Sequence, residues 1–292
     1  MALLYNATFD KNTRKLAFED RAGNEIYSFI VPEREKDDIT KPLTFRATQD
    51  GSTVKLTQYG NIYSSFQTSR DGGKTWTNYT IDTAITLNTG DEVSFRVNTY
   101  SKPHSGGYYH FMMTGKIEAW HNVMSITKRG GSPMQEPIGE YEFKAMFSGC
   151  RSLTKAPILP ETQLAGYCYE RMFSGCTSLT KAPVLPATRL VRGCYYCMFR
   201  GCTSLTEAPE LPATTLAENC YNSMFSGCQS LKEVRVSATT TATNALTDWL
   251  KGVSATGDFY CDPNATIFPT GTSGIPEGWR RLNINDYPAT NK

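Results

Sequence analysis

The chain repeats itself every 26 residues, and that period limits its fold more than any other feature. Met146-Phe147-Ser148-Gly149-Cys150 returns as Met172-Phe173-Ser174-Gly175-Cys176, as Met198-Phe199-Arg200-Gly201-Cys202 and as Met224-Phe225-Ser226-Gly227-Cys228, without insertion or deletion. A Ser-Leu pair follows each time, ending at Leu153, Leu179, Leu205 and Leu231. A second cysteine series, Cys168, Cys194 and Cys220, runs four residues ahead of the Met-Phe pair. A unit this short cannot bury its apolar face alone, so copies must stack and share one continuous core.

Within a unit, Leu179, Ala182 and Val184 have the L-x-x-L-x-L spacing of a leucine-rich-repeat strand, as do Leu153, Ala156 and Ile158. Cys168, Met172 and Phe173 lie at i, i+4 and i+5, which predicts one face of a short helix ended by Gly175 in a left-handed conformation. Each unit therefore reads as helix, glycine turn, short strand and a proline-bearing return. The predicted class is α+β: an N-terminal β-hairpin anchor, an all-β sandwich, then a short solenoid of four repeats with a C-terminal cap. The expected boundaries are 1–42 for attachment and oligomerisation, 43–127 for the sandwich, 128–140 for a linker, 141–236 for the repeats and 237–292 for the cap.

Seven of the 9 cysteines sit in the two periodic series, which reads as a ladder of buried apolar thiols. Cys194-x-x-Cys197 is the alternative, half of a zinc or redox site, but the next unit carries Ser223 where Cys197 stands. Disulfides are a third option that the periodicity does not require.

Ahead of the repeats, Val54 and Leu56, then Ile85 and Leu87, then Val93, Phe95 and Val97 alternate with polar neighbours, and Asp50-Gly51, Asp71-Gly72-Gly73 and Thr89-Gly90-Asp91 mark turns between them. The first 42 residues read as short strands with the apolar positions Phe9, Leu16, Phe18, Ile26, Phe29 and Ile30. These are too many to leave exposed and too few for an independent core, so they are the candidate anchor.

Formal net charge is +2 with no dense Lys/Arg stripe, so a nucleic-acid partner is not expected. No apolar run approaches the ~20 residues of a membrane-spanning helix. Residues 1–8 lack the basic start and long apolar stretch of a secretory leader. The three histidines, His104, His110 and His121, have no metal spacing, and no nucleophile elbow or phosphate loop is present. No catalytic residue, cofactor or metal is expected. Tyr108, Tyr109, Trp120, Tyr167, Tyr195 and Tyr221 are the candidate ligand contacts, as rings that could stack on sugars.

Two resemblances follow. Ser69-Arg70-Asp71-Gly72-Gly73-Lys74-Thr75-Trp76 resembles the Asp-box of sialidases, over eight residues only. Turn chemistry accounts for it, and a sialidase-like glycosidase is the minor alternative. Met172-Phe173-Ser174-Gly175-Cys176-Thr177-Ser178-Leu179 resembles the core of BspA-like leucine-rich-repeat proteins of gut and oral Bacteroidetes, in phase four times over roughly 141–236. The departures are Arg235 and Ser237, where Pro and Leu are expected. Similar architectures occur in structural proteins of phages infecting these bacteria. The resemblance implies adhesion or display rather than catalysis. The expected function is a phage head-fibre or decoration protein on the virion surface. It would bind a capsid or other virion scaffold through 1–42 as a homo-oligomer, with a trimer preferred, and meet host-surface glycan or protein. The alternative is a bacterial cell-surface adhesin with its leader removed.

Overall fold

A computed structural model describes residues 6–9, 15–19, 25–30, 37–103, 106–127 and 138–287, the first three stretches as backbone only. It is mostly β-sheet. No α-helix occurs among the described residues, where helical content is two short 3-10 segments, Val123–Ile126 and Ile284–Asp286. The chain divides into two units, Met1–Lys36 and Asp37–Lys292.

The small unit is an antiparallel sheet of β1 (Asn6–Phe9), β2 (Lys15–Glu19) and β3 (Glu25–Ile30), in that order. All six anchor candidates fall on its strands. Phe9 pairs with Leu16 and Leu16 with Phe29, so these three positions form one cross-strand row. Residues 10–14, 20–24 and 31–36, His104, and residues 128–137 of the expected linker lie outside the described residues.

The large unit begins earlier than the predicted boundary of 42. The Asp37 carboxylate accepts from the Lys155 ammonium (2.8 Å) and the His121 N–H (3.1 Å), and the Asp38 N–H donates to His121 Nδ1 (3.1 Å). Residues 37–42 are thus tied to the body. Eight strands follow: β4 (Thr44–Ala47), β5 (Ser52–Tyr59), β6 (Ser65–Ser69), β7 (Thr77–Tyr79), β8 (Ile85–Leu87), β9 (Glu92–Thr99), β10 (Tyr108–Thr114) and β11 (Ile117–Trp120). One sheet has the order β10-β5-β8. The other runs β11-β4-β9-β6-β7 and gains a sixth strand, β12 (Leu153–Lys155), from the first repeat. Alternation works as the sequence predicts. Val54, Leu56, Leu87, Val93 and Phe95 point inward and are fully buried, and Phe111, outside the predicted runs, joins them. The sheets meet across rings: Phe45 and Phe111 lie 4.7 Å apart, Phe95 and Phe111 5.2 Å.

The repeats do not start after a gap. Phe111 of β10 stacks on Phe147 (5.5 Å), and the row continues through Phe173, Phe199 and Phe225 at 5.4, 5.6 and 5.6 Å. A parallel row runs Phe143, Tyr169, Tyr195, Tyr221 at 5.4, 5.9 and 6.2 Å. The β domain therefore caps the first repeat, and one apolar core extends through both.

The predicted helix in each unit is absent. Residues with positive φ recur every fourth position instead: Tyr167, Arg171 and Gly175 in one unit, Gly193, Cys197 and Gly201 in the next. Between them the N–H groups alternate. Tyr169, Arg171, Phe173 and Gly175 donate to Cys194, Tyr196, Met198 and Arg200 of the following unit. Cys168, Glu170, Met172 and Ser174 donate three residues back. A helix would close every bond within itself. Here half the donors tie one unit to the next, and the left-handed residues turn the chain to make that possible. The i, i+4, i+5 apolar spacing serves this winding as well as it serves a helix.

The strand side of each unit is also sparser than predicted. Of the four predicted units, only the first and fourth have strands, β12 and β13 (Glu233–Arg235), with single parallel bridges Lys181–Glu207 and Glu207–Glu233 between. Val184, predicted to face inward, is 77% exposed, while Pro183 and Leu185 on either side are buried. The apolar run Ala-Pro-Val-Leu-Pro-Ala at 182–187 follows period 2 with the phase set by Pro183, Leu185 and Ala187.

Part of the expected cap is a fifth unit, displaced by 25 residues. Asn244, Asp248 and Gly252 carry the positive φ values of Asn219, Ser223 and Gly227. Tyr221, Ser223 and Phe225 donate to Ala245, Thr247 and Trp249. The missing residue lies between Glu233, still bridged to Glu207, and Val236, bridged to Leu211. Arg235 and Ser237 are thus a register shift rather than substitutions: buried Val236 takes the leucine position. Ahead of the chain end, β13 pairs in parallel with β14 (Gly257–Cys261), and β14 with β15 (Trp279–Asn283). Trp249 closes the aromatic rows against Tyr221 (6.2 Å) and Phe268 (6.1 Å), its Nε1–H donating to Gly274 O (2.9 Å).

Candidate functional site

The thiols are the first cluster to place. All nine are buried free cysteines. Cys150 donates to the carbonyl of Phe111 in β10 (2.8 Å), and Cys176, Cys202 and Cys228 donate to those of Phe147, Phe173 and Phe199, one unit back, at 3.0, 3.1 and 3.0 Å. Burial pushes the Cys168, Cys202 and Cys220 thiols up to about 12, and those of Cys176, Cys194 and Cys228 well above their ordinary value. A nucleophile needs the thiolate, so these groups are packing and hydrogen-bonding elements. Cys194 and Cys197 are both buried, and no group of three or more metal-binding side chains occurs among the described residues.

The Asp-box is closed on itself. Asp71 Oδ1 accepts from the Ser69 hydroxyl (2.6 Å) and the Lys74 and Thr75 amides (3.0 and 2.9 Å), and Oδ2 accepts from the Thr75 hydroxyl (2.5 Å). These bonds hold its carboxyl well below the usual carboxylate range. Gly72 and Gly73 supply φ of 71° and 90°, and Trp76 Nε1–H donates to Gly73 O (2.9 Å). The motif builds the turn between β6 and β7, and its carboxylate is spent there.

The six candidate contact rings divide. Tyr109, Tyr195 and Tyr221 are at most 2% exposed, which removes them as ligand contacts. Tyr109 instead has its hydroxyl 2.6 Å from Ser64 Oγ, and Tyr195 and Tyr221 belong to the stacked core row with Tyr169, a repeat tyrosine the sequence reading passed over. Trp120 is half-buried between the Lys155 ammonium (3.0 Å from the ring centroid) and the Arg46 guanidinium (4.9 Å), with Nε1–H donating to Glu118 (3.0 Å). Both cations lie over its ring. Tyr167 is not in the core row: it stacks on Tyr141 at 5.4 Å with Arg192 over it at 5.8 Å. Tyr108 is half-buried and stacks on Tyr59, its register partner across β10 and β5, at 4.8 Å and 25°.

Tyr108 belongs to an open groove of about 300 Å³ where the β domain meets the repeats. Tyr59, Tyr108 and His110 line it from the β side, and Lys144, Ala145, Ser148 and Arg171 from the first two repeats. Strand alternation places Tyr108 and His110 on the face opposite the buried Tyr109 and Phe111. Lys144 and Arg171 both approach the Glu170 carboxylate, at 3.7 and 3.9 Å. The His110 Nδ1–H donates to Ala145 O (2.8 Å), and burial holds this imidazole below its ordinary pKa. At neutral pH it is uncharged, with Nε2 left as an acceptor. The groove thus joins two part-exposed rings, two cations, a hydroxyl and an imidazole acceptor, with no carboxylate in its lining.

Only Tyr108 of these residues was among the sequence candidates. Tyr59 could be found only from the β5–β10 register, and Arg171 only from the stacking of the second unit on the first. No family model, no curated protein and no solved structure matches the chain.

Proposed function

We propose that this is a non-enzymatic surface-display protein built on a BspA-like leucine-rich-repeat solenoid, carried on a phage virion as a head fibre or decoration and used for adhesion. The observation that supports it best is the division of labour along the chain. The chain divides into a three-stranded unit, Met1–Lys36, and a body whose β domain and repeats share one core. Such a body is stiff, because every repeat is bonded to its neighbour through backbone donors as well as through stacked rings. A stiff body with a separable small sheet suits a projecting element and its attachment. The small unit is marginal alone, which favours completion by a scaffold protein or by sister chains, with a trimer preferred.

The test is mass spectrometry of purified virions together with assembly of a chain that begins at Asp37. The proposal expects the full chain in stoichiometric amount in the particle and the shortened chain folded but absent from it. Recovery of the chain from the surface of uninfected bacteria, and not from particles, would establish the bacterial adhesin instead. Normal particle assembly by the shortened chain would refute attachment through residues 1–36.

A further inference from the structure

The groove between β10 and the first two repeats has a chemistry more specific than adhesion. We infer that it binds an anionic saccharide: the sugar ring lies against the Tyr59–Tyr108 pair, and its acid group reaches Lys144 and Arg171. The inference rests on the adhesion reading and names the class of ligand for it. The rings are the first argument. Tyr59 is 45% exposed although it is a large ring on a regular strand, and it is held by stacking on Tyr108 (4.8 Å) and by the edge of His110 (6.1 Å). A fixed, half-open aromatic face suits the apolar C–H face of a pyranose, which needs a flat partner and loses little entropy against one already ordered.

Charge is the second argument. Lys144 and Arg171 line the groove, and Glu170, 13% exposed, sits 3.7 and 3.9 Å from them. The lining carries two cations and no carboxylate, and the Arg171 side chain is half exposed. Arg offers a planar fork for a carboxylate or sulfate. The third argument is hydrogen bonding. Ser148 supplies a hydroxyl that can donate or accept, and neutral His110 supplies an acceptor for a sugar O–H. A volume near 300 Å³ is at the small end of ligand sites, which fits one or two sugar residues rather than a long chain. The same surface is not built for nucleic acid, since the cations do not extend as a stripe.

The two acid groups that share this chemistry, carboxylate and sulfate, separate in the experiment. The full chain is titrated calorimetrically with galacturonic acid trimer, a sulfated heparin-derived trisaccharide, neutral galactotriose and triglutamate. The expected result is binding of at least one anionic sugar at least about tenfold tighter than galactotriose or triglutamate. Tyr59→Ala and Arg171→Gln should each weaken it about tenfold or more, while Tyr59→Phe restores it, at an unchanged melting temperature. The inference is overturned if neither anionic sugar binds up to about 10 mM, if triglutamate or galactotriose binds equally well, or if both weakening variants bind like the parent. These readouts need no particle. A chain absent from virions would refute display and leave a positive titration standing. A chain present in virions that binds no acidic sugar would refute the groove alone.

Discussion

The β domain and the repeats pair their backbone groups over one core in opposite ways. In the β domain, strands close mostly on antiparallel neighbours, side chains alternate with period 2, and every position has its own surroundings. In the repeats, a residue's surroundings are its own copies 26 positions away, and half of the donors in the turn segment point along the stack. The first solution lets faces differ, so Tyr59, Tyr108 and His110 can be set out toward the groove. The second forces the inward columns to be alike. Met, Phe and Cys recur unchanged, whereas the outward column that begins at Lys144 continues as Glu170, Tyr196 and Asn222. Special chemistry on the repeats can arise only in such outward columns, and the groove forms where one of them meets the β domain.

The largest effects should come from breaking the shared aromatic row. Phe173→Ala removes a fully buried ring stacked on both sides and should cost about 3–5 kcal/mol. Phe111→Ala should cost a similar amount, because this ring of the β domain begins the row. Chemical denaturation measures both. It should show a single transition in the parent chain for the whole of residues 37–287, followed by ring-sensitive and backbone-sensitive probes together. Two separated transitions would mean that the two regions are independent bodies and that the comparison fails.

Smaller effects should come from the left-handed positions that make the winding possible. Gly175 has φ of 76°, and a Cβ there would meet only ordinary contact with Gly149, 3.5 Å away. Gly175→Ala should therefore cost about 1–2 kcal/mol, from the backbone rather than from a clash. The next unit but one offers the reverse experiment. Ser223 holds φ of 54° with a β-carbon in place, so Ser223→Gly should stabilise by up to about 1 kcal/mol. Equal and opposite signs in urea midpoints would fix the winding as the source. Destabilisation by both changes would restore the helical reading of these segments.

These positions also show what the sequence could and could not tell. The inward columns were legible because an apolar residue recurring at one spacing has no other use, and the alternation in β5, β8 and β9 was legible for the same reason. The helix was misread because a four-residue winding with left-handed corners and a helix both bring i and i+4 to one side. Among these corners, the glycines at 149, 175, 193, 201, 227 and 252 advertise positive φ. Tyr167, Arg171 and Cys197 adopt it without any sequence signal. The fifth unit escaped because its spacing is 25 and because Ala245, Leu246 and Leu250 stand where Cys, Tyr and Phe are expected. The groove escaped because it depends on a cross-strand register and on a stacking contact, neither of which is local.

Acid should distinguish the regions next. Asp71 in the β6–β7 turn accepts four hydrogen bonds, first from Ser69 and Thr75, and its folded pKa lies below the unfolded value of ~3.9. A depressed carboxylate contributes stability that is present above the unfolded pKa and is lost as pH falls through the folded one. The parent chain should therefore lose melting temperature below about pH 4 in part through this turn. Asp71→Asn should lower the melting temperature at pH 7 and flatten that acid limb, so that the two curves converge at low pH. Melting curves from pH 7 to pH 2 measure it, and parallel curves would assign the acid sensitivity elsewhere. The effect stays local, because the turn is exposed and its bonds are among neighbours.

The smallest effect is expected at Val184, and it tests the outward columns directly. The apolar pattern of the repeat predicts this valine inside, yet it is 77% exposed between buried Pro183 and Leu185. The two preceding and following units place Ile158 and Glu210 at the same position. Ile158 is half-buried because its N–H donates to His121 O (2.8 Å), tying it to the β domain. Glu210 is exposed, as an outward column allows. Val184→Ser removes a side chain that already lies mostly in water, so little apolar area returns to solvent and the change in stability should stay within about 0.5 kcal/mol. The urea midpoint checks this. A loss of about 2 kcal/mol or more would mean that Val184 is covered, either by a different phase of the strand or by a neighbouring molecule. A concentration-dependent loss would identify the second, and would place a contact between copies on this side of the stack.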